Sequence, residues 1–156
     1  PPTPPPVSLW NPVDFAHRSV GPPPSVDEAA RSVRSAIAEA TTALAGLSTP
    51  VAAEVSGGLD SSLIAICLRE AGIDVALWLN VYGSTPESDE RNYLAALARA
   101  LDIKPLSVPH ATGPMTEAGL ETMSQGLRPG LTALDLHHDL DWAERIPAAG
   151  ARAVMT

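Results

Sequence analysis

A chain of 156 residues, 45% hydrophobic and with 10 Lys plus Arg against 18 Asp plus Glu for a formal net charge of −8, amounts to one domain with material for a core. Its one Lys, Lys104, and its scattered Arg form no stripe that could neutralise a phosphate backbone, so nucleic acid is excluded as the main partner and the apolar content excludes wholesale disorder. No apolar run approaches the ~20 residues of a membrane span, no signal-peptide pattern opens the chain, and a lone Cys67 can form no internal disulfide, so the expectation is a cytoplasmic protein with no membrane partner.

Nine of the 16 Pro fall between Pro1 and Pro24, so residues 1–24 read as a proline-stiffened arm or interdomain linker. Leu9, Trp10, Val13 and Phe15 give that arm apolar side chains for docking. Residues 25–156 read as a folded α/β domain. Ser25 and Glu28 form a Ser-x-x-Glu capping box, and Val26, Ala30, Val33, Ile37, Ala40 and Leu44 recur at steps of four and three, which predicts an amphipathic helix ending near Gly46. Val51 to Val55 is a short apolar run between turn signals and predicts a buried strand that stops at Ser56-Gly57-Gly58.

A second helix is expected just past these glycines, burying Leu63, Ile64, Cys67, Leu68 and Ala71 and closing at Gly72. Val75 to Val81 predicts a second strand. Thr85-Pro86 opens a third helix with Tyr93, Leu94, Leu97 and Leu101 as its inward stripe, and Lys104 to Val108 predicts a third strand. Met115 to Gln125 reads as a helix, Gly126 to Gly130 as a loop, Thr132 to Ala149 as a helix interrupted near Pro147, and Ala151 to Met155 as a fourth strand. Alternating strands and helices imply a doubly wound parallel sheet with helices on both faces.

The segment that carries chemistry is Ser56-Gly57-Gly58-Leu59-Asp60-Ser61-Ser62, between a strand and a helix. Two glycines permit a tight turn and a close backbone approach, and the first turn of the helix offers free N–H groups with partial positive charge. Ser56, Ser61 and Ser62 add hydroxyls for phosphate oxygens, and Asp60 can hold a divalent cation against them. On Gly and Ser content alone, an ordinary turn capped by Ser and Asp is an equal reading.

The complete string resembles the pyrophosphate loop of the ATP pyrophosphatase superfamily; it is not a Walker A loop, since Gly-Lys-[Ser/Thr] is absent. With Glu87-Ser88-Asp89-Glu90-Arg91 leading through Leu94, Ala95 and Leu97 to Leu101, it most resembles the synthetase domain of the asparagine synthetase family, which includes β-lactam synthetases and lasso peptide macrolactam cyclases. The resemblance implies an AMP-forming carbon–nitrogen ligase with ATP and Mg²⁺ as cofactors: a carboxylate substrate is adenylated, pyrophosphate leaves, and an amine, from an amino acid or peptide, attacks. It implies that Ser56, Gly57, Gly58, Asp60, Ser61 and Ser62 hold pyrophosphate and that Asp60 meets the metal. Asn80 and Val81, with Val55 as a weaker candidate, would lie beside the adenine or ribose. Glu90 matches an acidic position in relatives, although a solvent-facing helical glutamate is the favoured reading.

In that family a strand like Arg152 to Thr156 leads into Gly-x-Gly-Gly-Asp, with a catalytic Lys further on. The chain is therefore expected to be the amino-terminal half of an adenine nucleotide α-hydrolase-like synthetase domain, with the remaining half as partner, no catalytic residue of its own assigned, weak nucleotide binding at most and no complete catalysis alone. A lasso-type cyclase is slightly favoured over a glutamine-hydrolysing asparagine synthetase proper; the rival class is a non-catalytic partner-binding module with a degenerate loop. Elsewhere, His137 and Asp141 stand four apart on a helix, a Zn²⁺-compatible spacing read as a solvated face. Cys67 is read as structural and Trp142 as packing.

Overall fold

The computed structural model describes residues 11–13, 25–114, 116–124 and 136–156. The chain divides into two compact units, Pro1–Val33 and Arg34–Thr156, and the sheet lies in the second. In the first, the expected capping box is present: Ser25 N–H donates to Glu28 Oε2 at 2.9 Å and Glu28 N–H donates to Ser25 Oγ at 3.3 Å. It opens helix α1 (Val26–Gly46). The expectations for residues 1–24 otherwise lie outside the described residues, apart from Asn11 to Val13, where Asn11 Oδ1 accepts the Val13 N–H at 3.1 Å.

Strands β1 (Val51–Glu54), β2 (Val75–Tyr82), β3 (Leu106–Pro109) and β4 (Ala153–Met155) form one sheet in the order β3-β2-β1-β4. Every pairing is parallel, which confirms the doubly wound α/β sheet. Helix α2 (Leu59–Glu70) follows β1, α3 (Arg91–Leu101) follows β2, and α4 (Glu117–Ser124) and α5 (Leu136–Ala148) lie between β3 and β4. From β1 the chain steps outward to β2 and β3, then returns to the other side of β1 for β4. Parallel sheets bind ligands at the carboxyl ends of strands where the winding reverses, which here is the gap between β1 and β4.

The main hydrophobic cluster sits on one face of the sheet, and Ala52 on the other face is buried as well. Val51, Ala53 and Val55 alternate along β1 as the two-residue period requires, and with Trp78 they meet Ala65 and Leu68 of α2, Leu94 of α3, Ile103 and Ala45. Leu68, Val51 and Val55 are fully buried, so the strand that feeds the loop and the helix that leaves it are anchored in the same core. Cys67 is buried beside them in the chain.

Three expectations change. The stripe predicted for α1 is not the buried one: Val26, Val33 and Leu44 are exposed, whereas Thr41 and Ala45 are buried. Small side chains four residues apart let the helix backbone come close, and Ala45 is the residue that joins the core. The third helix does not run from Thr85. A 3₁₀ turn at Pro86–Ser88 is closed by reciprocal Thr85 and Ser88 contacts, and α3 begins afresh at Arg91. Asp89 causes the break, because its Oδ1 accepts both the Arg91 N–H at 3.2 Å and the Arg91 guanidinium Nε–H at 2.8 Å. Tyr93 is exposed, not inward, while its neighbour Leu94 takes the core position. Beyond β3, the loop expected at 126–130 and the start of the helix expected from 132 lie outside the described residues.

Candidate functional site

The carboxyl end of β1 is held from the side by β2. Val55 N–H donates to Leu79 O at 2.8 Å, and the Asn80 amide Nδ2 donates to Val55 O at 2.9 Å. Asn80 is 2% exposed, and its Oδ1 has no partner among the described residues. The chain therefore leaves the sheet from a fixed point, and the following loop inherits that rigidity.

Gly57 turns the loop at φ +90°, a conformation that L side chains rarely adopt. A Cβ there would lie 2.5 Å from Leu94 N and 3.0 Å from the Tyr93 carbonyl carbon. The expectation that both glycines clear space for a ligand thus holds a different meaning at each position. Gly57 lets the loop seat against the backbone of α3. Gly58, at φ −67° and ψ 169°, is in ordinary extended geometry, and a Cβ there would stand 3.1 Å from Ser56 Oγ and 3.8 Å from Glu90 Oε2. Its missing side chain leaves room between a serine hydroxyl and a carboxylate.

Within the loop, Gly58 N–H donates to Ser56 Oγ at 3.1 Å, Ser56 N–H donates to Ser61 Oγ at 3.1 Å, and the two hydroxyl oxygens lie 3.0 Å apart. Two hydroxyl protons are present and only one is used between these oxygens, so one O–H remains for a further acceptor. Gly58 is the N-cap of α2 and supplies no side-chain cap. The first internal bond of the helix runs from Ser62 N–H to Gly58 O, at 3.1 Å, so the N–H groups of Leu59, Asp60 and Ser61 have no partner within the helix. An uncapped amino terminus with a spare hydroxyl is a site for anionic oxygen.

This corner opens onto a cavity of about 380 Å³, within the ~300–1,000 Å³ common for small-molecule sites. Ser56, Gly58, Asp60 and Ser61 line it together with Leu59 and Ile64 of α2, Glu90 at the start of α3, and Thr156 just past β4. Thr156 places it at the β1/β4 gap where the winding reverses. Of the residues singled out in the sequence, Gly57, Ser62, Val55, Asn80 and Val81 are not among those lining it: Gly57 packs on α3, Val55 is buried in the core, and Asn80 ties β2 to β1. Glu90, read from sequence as a solvent-facing helical residue, is exposed but stands before the helix and on the cavity wall. The missed signal is steric: Gly57 brings α3 to the loop, and no local pattern encodes that contact.

The other side of the sheet carries a separate cluster. Glu54 is half-buried and its carboxyl is pushed up by burial, with His138 opposing the shift. The His138 ring stacks on His110 at 4.9 Å between centroids and meets Trp142 at 4.7 Å, so Trp142 does pack, although its Nε1 has no partner among the described residues. Asp141 accepts from Arg145 Nε at 2.7 Å and His137 Nε2 lies 3.3 Å from Pro114 O, so the pair at metal-ligand spacing is engaged elsewhere. No group of three metal-ligating side chains is found among the described residues.

The family model for asparagine synthase matches residues 32–122, more than half of the chain, and spans β1, the loop, α2, β2 and α3. The chain belongs to the asparagine synthase family. That membership supports an ATP-dependent, amide-forming synthetase role at the level of the family. No curated protein and no solved structure matches the chain. No helix among the described residues is long and apolar enough to cross a membrane.

Proposed function

We propose that this member of the asparagine synthase family binds ATP with Mg²⁺ and supplies the pyrophosphate-holding part of an AMP-forming carbon–nitrogen ligase. The observation that carries the reading is the uncapped start of α2. Its free N–H groups, a spare serine hydroxyl and the space left by Gly58 converge on one cavity at the β1/β4 gap. The donor set fits a polyphosphate, and the Asp60 carboxylate on the same wall would repel it unless a divalent cation stood between them. Mg²⁺, when bound, would supply neutralisation of the polyphosphate's charge beside Asp60. The chain's own residues orient the anion: the helix N–H groups and the serine pair fix its oxygens, and the core behind β1 and α2 keeps them from yielding.

The substrate pair is a carboxylate and an amine, with a lasso-type peptide cyclase slightly favoured over a glutamine-using asparagine synthetase. A partner-binding module with a relic loop is the reading this proposal displaces. Calorimetric titration of ATP with Mg²⁺ into the chain separates them. Binding is expected, with loss in both Asp60→Ala and Gly58→Val; absence of binding at millimolar nucleotide would favour the relic.

A further inference from the structure

Glu90 has a carboxylate that its own helix does not use. It is the N-cap of α3, where short side chains such as Asp or Ser reach back to the first helical N–H groups, and the longer Glu90 side chain makes no such cap. The task falls to Asp89, which binds the Arg91 N–H and guanidinium and is held at a pKa of about 2 by that hydrogen bonding. Asp89 is therefore neutralised by Arg91, whereas Glu90 carries its charge to the cavity wall, its Oε2 3.8 Å from where a Gly58 Cβ would be. The contact between Gly57 and the Tyr93 and Leu94 backbone fixes this placement, since it seats the first turn of α3 against the loop.

Resting on the nucleotide reading above, we propose that Glu90 makes the cradle selective for the cation-bound form of its polyphosphate ligand. Two carboxylates, Asp60 and Glu90, border a site built to attract anions. A bare polyphosphate meets the helix N–H groups and also both negative charges, which oppose it at close range. A divalent cation reverses the sign of that interaction, because each carboxylate then faces positive charge. Glu90 is thus a specificity-determining residue contributed by the second strand–helix unit, and Gly57 is the residue that positions it.

The test compares inorganic pyrophosphate and ATP, each with Mg²⁺ and with chelator, titrated calorimetrically into the unsubstituted chain and into Glu90→Gln. The unsubstituted chain is expected to bind both ligands more tightly with Mg²⁺ than with chelator. Glu90→Gln is expected to gain affinity for the cation-free ligand by about tenfold, as removal of one nearby charge implies, and to lose affinity for the Mg²⁺ form. Glu90 is exposed, so the variant folds, and circular dichroism checks this. An unchanged ratio of the two affinities in Glu90→Gln would overturn this inference and leave the nucleotide reading standing. Failure of the unsubstituted chain to bind either ligand in Mg²⁺ would overturn both.

Discussion

Substituting the two loop glycines separately should divide stability from binding. In Gly57→Ala the new Cβ meets Leu94 N at 2.5 Å and Tyr93 backbone and Cβ atoms at 3.0 Å, and the residue must also hold φ +90°. The left-handed backbone costs about 1–2 kcal/mol for a residue with a Cβ. Overpacking against helix backbone costs about 1–3 kcal/mol more, because α3 is held by Leu94 in the core and cannot simply give way. The combined loss, about 2–5 kcal/mol, is a large fraction of the ~5–15 kcal/mol that stabilises a domain. Gly72→Ala is the internal control: Gly72 sits at φ +66° with nothing within 4 Å, so it reports backbone strain without a clash. Gly58→Ala has neither strain nor backbone clash and should leave stability within about 0.5 kcal/mol while filling part of the cavity. Urea unfolding followed by circular dichroism gives the order: Gly57→Ala least stable, Gly72→Ala intermediate, Gly58→Ala near the parent. A Gly57→Ala variant no less stable than Gly72→Ala would refute the claim that the loop is seated against α3.

Other outcomes follow from the same structure. Leu68→Ala, at a fully buried position beside the loop's anchor strand, should cost about 2–5 kcal/mol in urea unfolding. Glu54 carries a carboxyl whose pKa in the fold lies above its ordinary value of 4.5 because of burial, so the stability it contributes is present below that value and lost as pH rises through the folded one. Glu54→Gln should therefore unfold at a higher temperature than the parent at pH 7 and at the same temperature at pH 4. For Asp89, lowered from 3.8 to about 2 by Arg91, the sign is opposite: its contribution is present above 3.8 and disappears as pH falls toward 2, so Asp89→Asn should flatten the acid limb of a stability profile. Arg34→Ala removes an exposed ion pair with Glu70 and should change stability by less than about 1 kcal/mol.

What could be read from the sequence follows the range of the forces involved. The β1–loop–α2 unit was legible because each part is local: an apolar run bounded by turn residues, two glycines, and a helix whose buried side recurs at the helical period. The parallel sheet followed from the alternation of such units. The stripe on α1 misled because periodicity finds apolar residues but not their neighbours, and the helix approaches the core through Thr41 and Ala45. The break at Asp89 was hidden because it depends on one carboxylate choosing the Arg91 N–H and guanidinium over continuation of a helix that Thr85-Pro86 had signalled. Glu90 and Thr156 reach the cavity only through tertiary placement, one by the Gly57 contact and the other by β4 pairing with β1 across a separation of about one hundred residues.

The most direct test of the account is a backbone amide nuclear magnetic resonance titration of the isotope-labelled chain with ATP and Mg²⁺. Saturable shifts are expected at the Gly58, Leu59, Asp60 and Ser61 amides, with smaller changes at Glu90 and Thr156 and none at His138 or Trp142. Shifts confined to the His110, His138 and Trp142 cluster, or none anywhere at millimolar nucleotide, would contradict the assignment of the uncapped start of α2 as the seat of the pyrophosphate.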